Sequence, residues 1–250
     1  MKALKVLFLG ESYTALHTYI RGADYVTLPE YANTGAAFAD MLRTQGMEVK
    51  QLASHEVIAA FPASAQALAE YDVVIISDIG SNTLLTNPPA PSKARLPNRL
   101  ELLRAFVENG GGLLMCGGYF SFSGVNNTAR YGMTPLAVAL PVEILNYDDR
   151  MECPQGVSAN IRIPEHEILR GVDHAAWPYF CGYNKVTAKP GAKEIASFNS
   201  DPFLVCTEYG KGRSFAFTSD CEPNWATREF LEWEGYPRLF GNIIRWLSRA

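Results

Sequence analysis

Short, continuous apolar runs that end in glycine or small polar residues mark the first half of the chain. "KVLFLGE" (Lys5 to Glu11) and "DVVIISDIG" (Asp72 to Gly80) have no internal polar alternation, as expected of strands buried on both faces of a parallel sheet. Between them, "GAAFADMLRTQGM" places Phe38, Met41 and Leu42 at helical spacing, and Gly46 stops the helix. "EVKQLAS" alternates weakly, which predicts an outer strand, and "ALAEY" closes a short helix. "RLELLRAFVENGGG" is amphipathic, with Leu100, Leu103, Phe106 and Val107 on one side, and it delivers the chain into the strand "LLMCGG". The alternation of strand and helix predicts a parallel sheet covered on both faces.

The second half is less regular. "PVEIL", "SANIRI", "KEIASF", "PFLVCTEYG" and "GRSFAFTSD" are strand candidates separated by turns. "REFLEWEGYPRLFGNIIRWLSRA" is a closing helix that docks through Leu239, Ile243, Trp246 and Leu247. The proline-rich "TNPPAPSKARLP" predicts an exposed loop, with a flap as its most specific role. With no internal repeat, one domain over residues 1–250 is expected.

Composition narrows the function classes. At 250 residues and 48% hydrophobic, the chain has ample material for one large core. A formal charge of -4 gives no footprint for nucleic acid or an anionic membrane surface, and no apolar run is long enough to span a bilayer. The start reads as a first strand, not a secretion signal. Five cysteines (116, 153, 181, 206 and 221) without C-x-x-C spacing are expected as reduced thiols in a cytoplasm.

In open α/β sheets, ligands sit beyond the carboxyl ends of the strands. Residues following each apolar run are therefore the candidates: Glu11, Ser12 and Tyr13 after the first, and Asp78 with Ser81 to Thr83 after the third. Cys116, Gly117, Gly118, Tyr119 and Ser121 follow the fourth, while Asp220, Cys221, Glu222 and Trp225 follow the late "SFAF" strand. Singly, each acid or hydroxyl reads as a cap or turn former. Together they predict a polar crevice, with Tyr119 and Trp225 as aromatic platforms for a sugar-like ligand. Glycine spacing leaves two centres for a strained turn: Cys116, flanked by Leu114 and Gly118, or Tyr119, flanked by Gly117 and Ser121.

"VVIISDIGSNTLL", "LLRAFVENGGGLLMCGGYFSFSG", "YGMTPLAVALPVEI", "YGKGRSFAFTSDCEPNW" and "WEGYPRLFGNIIRWL" together resemble the class I glutamine amidotransferase-like superfamily, and within it the branch named putative glutamine amidotransferase. The resemblance implies an α/β, flavodoxin-like three-layer sandwich with a mostly parallel central sheet and a functional turn after the fourth strand. It also implies a Cys-His-Glu triad, with the cysteine in a G-x-C-x-G elbow and the other two in a late H-x-E. Cys116, Asp220 and Glu222 are the matching catalytic positions. The elbow lacks its first glycine, and Asp220 stands where the histidine belongs. An ionised aspartate is too acidic to relay a thiol proton, so glutaminase activity is not expected.

The four histidines offer no obvious replacement: His166 and His174 read as packed or solvated, His55 is unassigned, and His17 is expected near a ligand. No spacing indicates a metal site, and "GES" after the first strand is not a dinucleotide fingerprint, so neither metal nor cofactor is expected. The expected partner is a small polar molecule, bound or hydrolysed. The alternative is a non-catalytic assembly or regulatory module, with a homo-oligomer formed through its aromatic segments.

Overall fold

The apolar runs of the first half become the parallel half of one sheet. The computed structural model describes residues 3–86 and 95–249. In chain order the first elements are β1 (Lys5–Gly10), β2 (Ser12–Arg21), β3 (Asp24–Asn33), α1 (Ala36–Thr44) and β4 (Glu48–Leu52). Next come α2 (Ser54–Ala60), α3 (Ala65–Leu68), β5 (Val73–Ser77), α4 (Ser81–Leu85), α5 (Arg99–Glu108) and β6 (Gly112–Cys116). The second half supplies β7 (Val142–Ile144), β8 (Arg150–Val157), β9 (Ala159–Ile161), β10 (Phe180–Asn184) and β11 (Val186–Ala188). It ends with β12 (Lys193–Phe198), β13 (Asp201–Tyr209), β14 (Gly212–Phe217), α6 (Arg228–Glu232) and α7 (Gly235–Ser248).

Eight strands form the central sheet in the order β4-β1-β5-β6-β14-β13-β12-β9. The pairings from β4 through β14 are parallel, and those from β14 to β9 are antiparallel. Side-chain alternation divides the core into two apolar layers. Val6 and Phe8 of β1 join Phe38 of α1 and Phe240 and Ile243 of α7 on one face. Leu7 and Leu9 join Val57 of α2, Leu68 of α3 and Leu103 of α5 on the other. The result is the parallel sheet covered on both faces that the strand-helix alternation predicts, and the flavodoxin-like α/β sandwich that the resemblance implies.

Several elements differ from the sequence expectation. "PVEIL" forms β7, which pairs with β11 in a small separate sheet and not with the central one. Strands β8 and β10, unassigned from sequence, pair with each other beside the site. The closing helix is two, because Trp233 at the end of α6 is extended before the chain re-enters helix at Gly235. The largest omission is β2–β3, a hairpin of ten residues per strand that leaves the body directly after β1. Pro29 and a mixed polarity on both faces obscured its period, although β-forming residues flank a Gly22-Ala23 turn. The proline-rich expectation lies mostly outside the described residues.

Candidate functional site

Parallel pairing puts the carboxyl ends of β1, β5, β6 and β14 on one edge, and a cleft of about 630 Å³ opens there. Glu11, Asp78, Asp220 and Glu222 all border it, together with Ser12 and Tyr119. Two of these residues occupy backbone conformations that L-amino acids rarely adopt: Glu11 at φ 54° and Asp78 at φ 42°. Each sits at the point where the chain leaves a buried strand. The surroundings hold that strain, of order 1–3 kcal/mol per residue, and it turns both carboxylates into the cleft.

The turn after β6 is built around Gly118. Its φ is +139°, and a Cβ there would stand 2.6 Å from Asp78 Oδ1 and 2.8 Å from Asp220 Oδ1. The two carboxylates therefore approach the same methyl-sized point, which only glycine leaves open. Gly117 tightens the same turn, donating its N–H to the carbonyls of Phe217 and Ser219, both at 2.8 Å. Asn184, at the end of β10, clamps Gly118 from both sides. Its Oδ1 accepts the Gly118 N–H at 2.9 Å, and its Nδ2 donates to the Gly118 carbonyl and to Asp149. Asp149 in turn accepts the N–H groups of Ser123 and Gly124. Neither Asn184 nor Asp149 was legible in the sequence, because β8 and β10 were not.

All four carboxylates border the cleft, and each is anchored by hydrogen bonds. Asp78 accepts the Phe120 N–H at 2.7 Å, Asp220 the Trp225 N–H at 3.0 Å, and Glu222 the Phe38 N–H at 2.9 Å. Glu11 accepts from the Ser77 hydroxyl and from Thr34. Burial of four acids around one space makes their charged forms unfavourable. Desolvation, then the charge of Asp78, pushes Asp220 up to about 8. Desolvation, then Glu11, pushes Glu222 up to about 8. Glu11 is raised well above the usual range by burial and then by Asp78 and Asp220. Burial also raises Asp78, against the backbone N–H groups that favour its ionised form.

Four sequence expectations need correction: the place of Cys116, the centre of the turn, the role of Trp225 and the place of His17. Cys116 is not at the cleft: it is the last, fully buried residue of β6 and packs in the apolar layer with Phe8 and Phe217. The turn centres on neither Cys116 nor Tyr119, since the left-handed positions in it are Gly118 and Phe122. Below the cleft floor, Cys221 lies 3.4 Å from the Ser77 hydroxyl, and burial followed by the neighbouring Cys116 keeps its thiol well above the ordinary value.

Trp225 is not a platform either. It is 1% exposed, and its indole N–H donates to Glu152 at 3.1 Å. The exposed aromatic surface at the cleft is instead Phe120, 45% exposed, and Tyr13 at the root of β2. Tyr119 borders the cleft with its hydroxyl committed to Glu152 at 2.9 Å and the Arg150 guanidinium over its ring at 4.7 Å. Ser121 is fully buried and accepts the Asp78 N–H, a positioning contact, while the Ser12 hydroxyl accepts from the Ser54 N–H at 2.7 Å.

His17 is not beside the cleft but out on the hairpin, paired with Glu30 at 2.9 Å. His166 faces Cys206 and Trp246 elsewhere on the molecule. Among the described residues, no histidine lines the cleft, and no three histidine, cysteine or acidic residues are arranged to hold a metal ion.

No curated protein sequence matches the chain. Two solved structures, both cytoplasmic proteins of Salmonella typhimurium (one from strain LT2), are similar over nearly their whole length. The first is 41% identical with a TM-score of 0.93, covering 98% of this chain and 99% of that one. The second is 40% identical with a TM-score of 0.92, at 98% and 99% coverage. A "putative GMP synthase" component from Thermoplasma acidophilum shares the fold at 11% identity and a TM-score of 0.51, covering 100% of this chain and 96% of that one. The family model described as "Putative glutamine amidotransferase" matches residues 5–249. The chain belongs to that family.

Proposed function

We propose that this family member binds, and acts by carboxyl acid–base chemistry on, a small hydroxyl-rich ligand such as a sugar or polyol, without a working glutaminase triad. The observation that carries the reading is the pair Asp220 and Glu222, both pushed to about 8 at the rim of a cleft that also holds Glu11 and Asp78. At neutral pH these two are largely protonated. Each can donate a hydrogen bond to a ligand oxygen, or a proton to a leaving one, while an ionised neighbour accepts from a hydroxyl or from water. Thr14, Thr34, Ser54 and Asn224 add neutral hydrogen-bonding groups around the same space. Phe120 and Tyr13 offer apolar faces for the carbon side of a ring.

The amidotransferase alternative lacks its parts. A nucleophilic thiolate needs access and an electropositive setting, and Cys116 has no exposure. The position matching the relay histidine holds Asp220, which burial makes a proton donor at neutral pH and not the ionised carboxylate that its residue type predicts. We also assign the protein to the cytoplasm, supported by the names of the two Salmonella relatives and by five free cysteines.

The test has two arms. Thermal-shift screening against sugars, polyols and chromogenic glycosides should find a stabilising ligand whose effect is lost in Glu222→Gln. Glutamine should release no ammonia. A screen in which no hydroxylated compound binds, or glutaminase activity that disappears in Cys116→Ala, would overturn the proposal.

A further inference from the structure

The β2–β3 hairpin has almost no support from its own body. Apart from Ser12 at its base and the partly covered Ala15 and Ala32, its residues are exposed on both faces. Tyr31 leans edge-on against His55, and beyond that root the ribbon stands free. Strand alternation puts Tyr13, Tyr19, Val26 and Leu28 on one face, and Leu16, Ile20, Tyr25 and Tyr31 on the other. The most exposed of its large apolar side chains are Leu16 (68%) in the middle of the ribbon and Ile20 (74%) and Tyr25 (77%) near its tip. A two-stranded ribbon is marginal in water, and an apolar one exposed on both faces needs cover.

We infer that this hairpin is a dimerisation arm that inserts into a second copy of the same chain, which inserts its own arm in return. Charge argues against a lipid or nucleic-acid occupant. The arm carries Arg21, Asp24, Glu30 and His17, with His17 and Glu30 already paired, so there is no basic surplus for phosphates. Area argues for mutual insertion. Ten residues per strand and two strands give a face of about 34 by 10 Å, or ~340 Å². Two arms stacked on one face each would bury only ~700 Å² in total, below the ~1,200 Å² of a specific interface. Covering both faces of both arms doubles the arm contribution to ~1,400 Å², and the surfaces that receive them bring the total to ~2,700 Å², within the range of stable homodimers.

The body carries further exposed apolar side chains, among them Met133, Val138 and Tyr147. Reciprocal exchange is two-fold symmetric and closes, so it yields a dimer and not a filament. Because Tyr13 and Thr14 at the arm's root line the cleft, the second copy would sit at its mouth.

Sedimentation velocity on the full chain at micromolar concentration tests this without any ligand. The expected result is twice the monomer mass for the wild type. The triple variant Leu16→Glu, Ile20→Glu, Tyr25→Glu should sediment as a monomer, with its dissociation constant raised at least about 100-fold. Its thermal transition and near-UV spectrum check that the body is intact. A second variant replaces residues 13–32 with two glycines; Ser12 and Asn33 are already paired, so the gap closes without strain. It too should be monomeric. A wild-type monomer throughout the micromolar range, or a dimer that survives either change, would overturn the inference. So would a monomer whose arm is occupied by a different protein.

Discussion

Replacing Asp220 with asparagine should make the protein less sensitive to alkaline pH and more stable above neutrality. Asp220 is 4% exposed, with one oxygen accepting the Trp225 N–H and the other facing Asp78 across Gly118. Its carboxyl titrates near 3.8 when unperturbed and at about 8 in the folded protein. Between those values the native state holds a proton that the unfolded chain has lost. Stability is therefore fully present below the lower value and drains away as pH rises through the upper one. Each unit of displacement corresponds to about 1.4 kcal/mol, so Asp220 titrating alone would account for ~6 kcal/mol.

It does not titrate alone: Asp78 shares the same space, and the pair divides the strain between two protons. A realistic loss for the wild type between pH 5 and pH 8 is about half of that, ~3 kcal/mol. In Asp220→Asn, the amide oxygen keeps the Trp225 N–H and the amide nitrogen donates toward Asp78, so nothing is left unpaired. Urea unfolding followed by circular dichroism at several pH values is the assay. The variant should match the wild type near pH 5 and exceed it by ~2 kcal/mol near pH 8. A residual slope from Glu11 and Glu222 should remain. A variant as pH-sensitive as the wild type, or weaker than it at pH 8, would refute the idea that carboxylate crowding shapes this cleft.

Two further outcomes follow from the turn. Cys116→Ala should lose about 1–2 kcal/mol in urea unfolding, because it removes a buried sulfur from the core, and native Cys116 should alkylate slowly; fast stoichiometric labelling of the folded protein would contradict this. Gly118→Ala adds a methyl group against two carboxylate oxygens at an unfavourable φ, so it should lose about 2–4 kcal/mol and abolish ligand-induced stabilisation, whereas an unchanged melting temperature would show that the turn is not strained.

The parallel half of the sheet was legible because strands buried on both faces must be apolar throughout. "KVLFLG", "VVIIS" and "LLMC" can hardly fold otherwise, and the chemistry-bearing residues follow them immediately. Glu11, Asp78 and Asp220 were thus visible as strand exits, and parallel topology alone brings such exits to one edge. Which way a side chain turns at an exit was not visible. Cys116 and Tyr119 are three residues apart, yet one faces the core and the other the cleft, and the difference is set by Gly118 being held by Asn184 from a distant strand. Trp225 looked like a binding platform, but Glu152 on β8 takes its indole N–H and the surrounding chain covers its ring. The hairpin escaped the periodic reading for a related reason: an element exposed on both faces carries no inside–outside alternation. Local sequence determines periodicity and burial. Orientation, charge crowding and the Asn184 clamp depend on contacts between residues tens to hundreds of positions apart, which only the tertiary structure brings together.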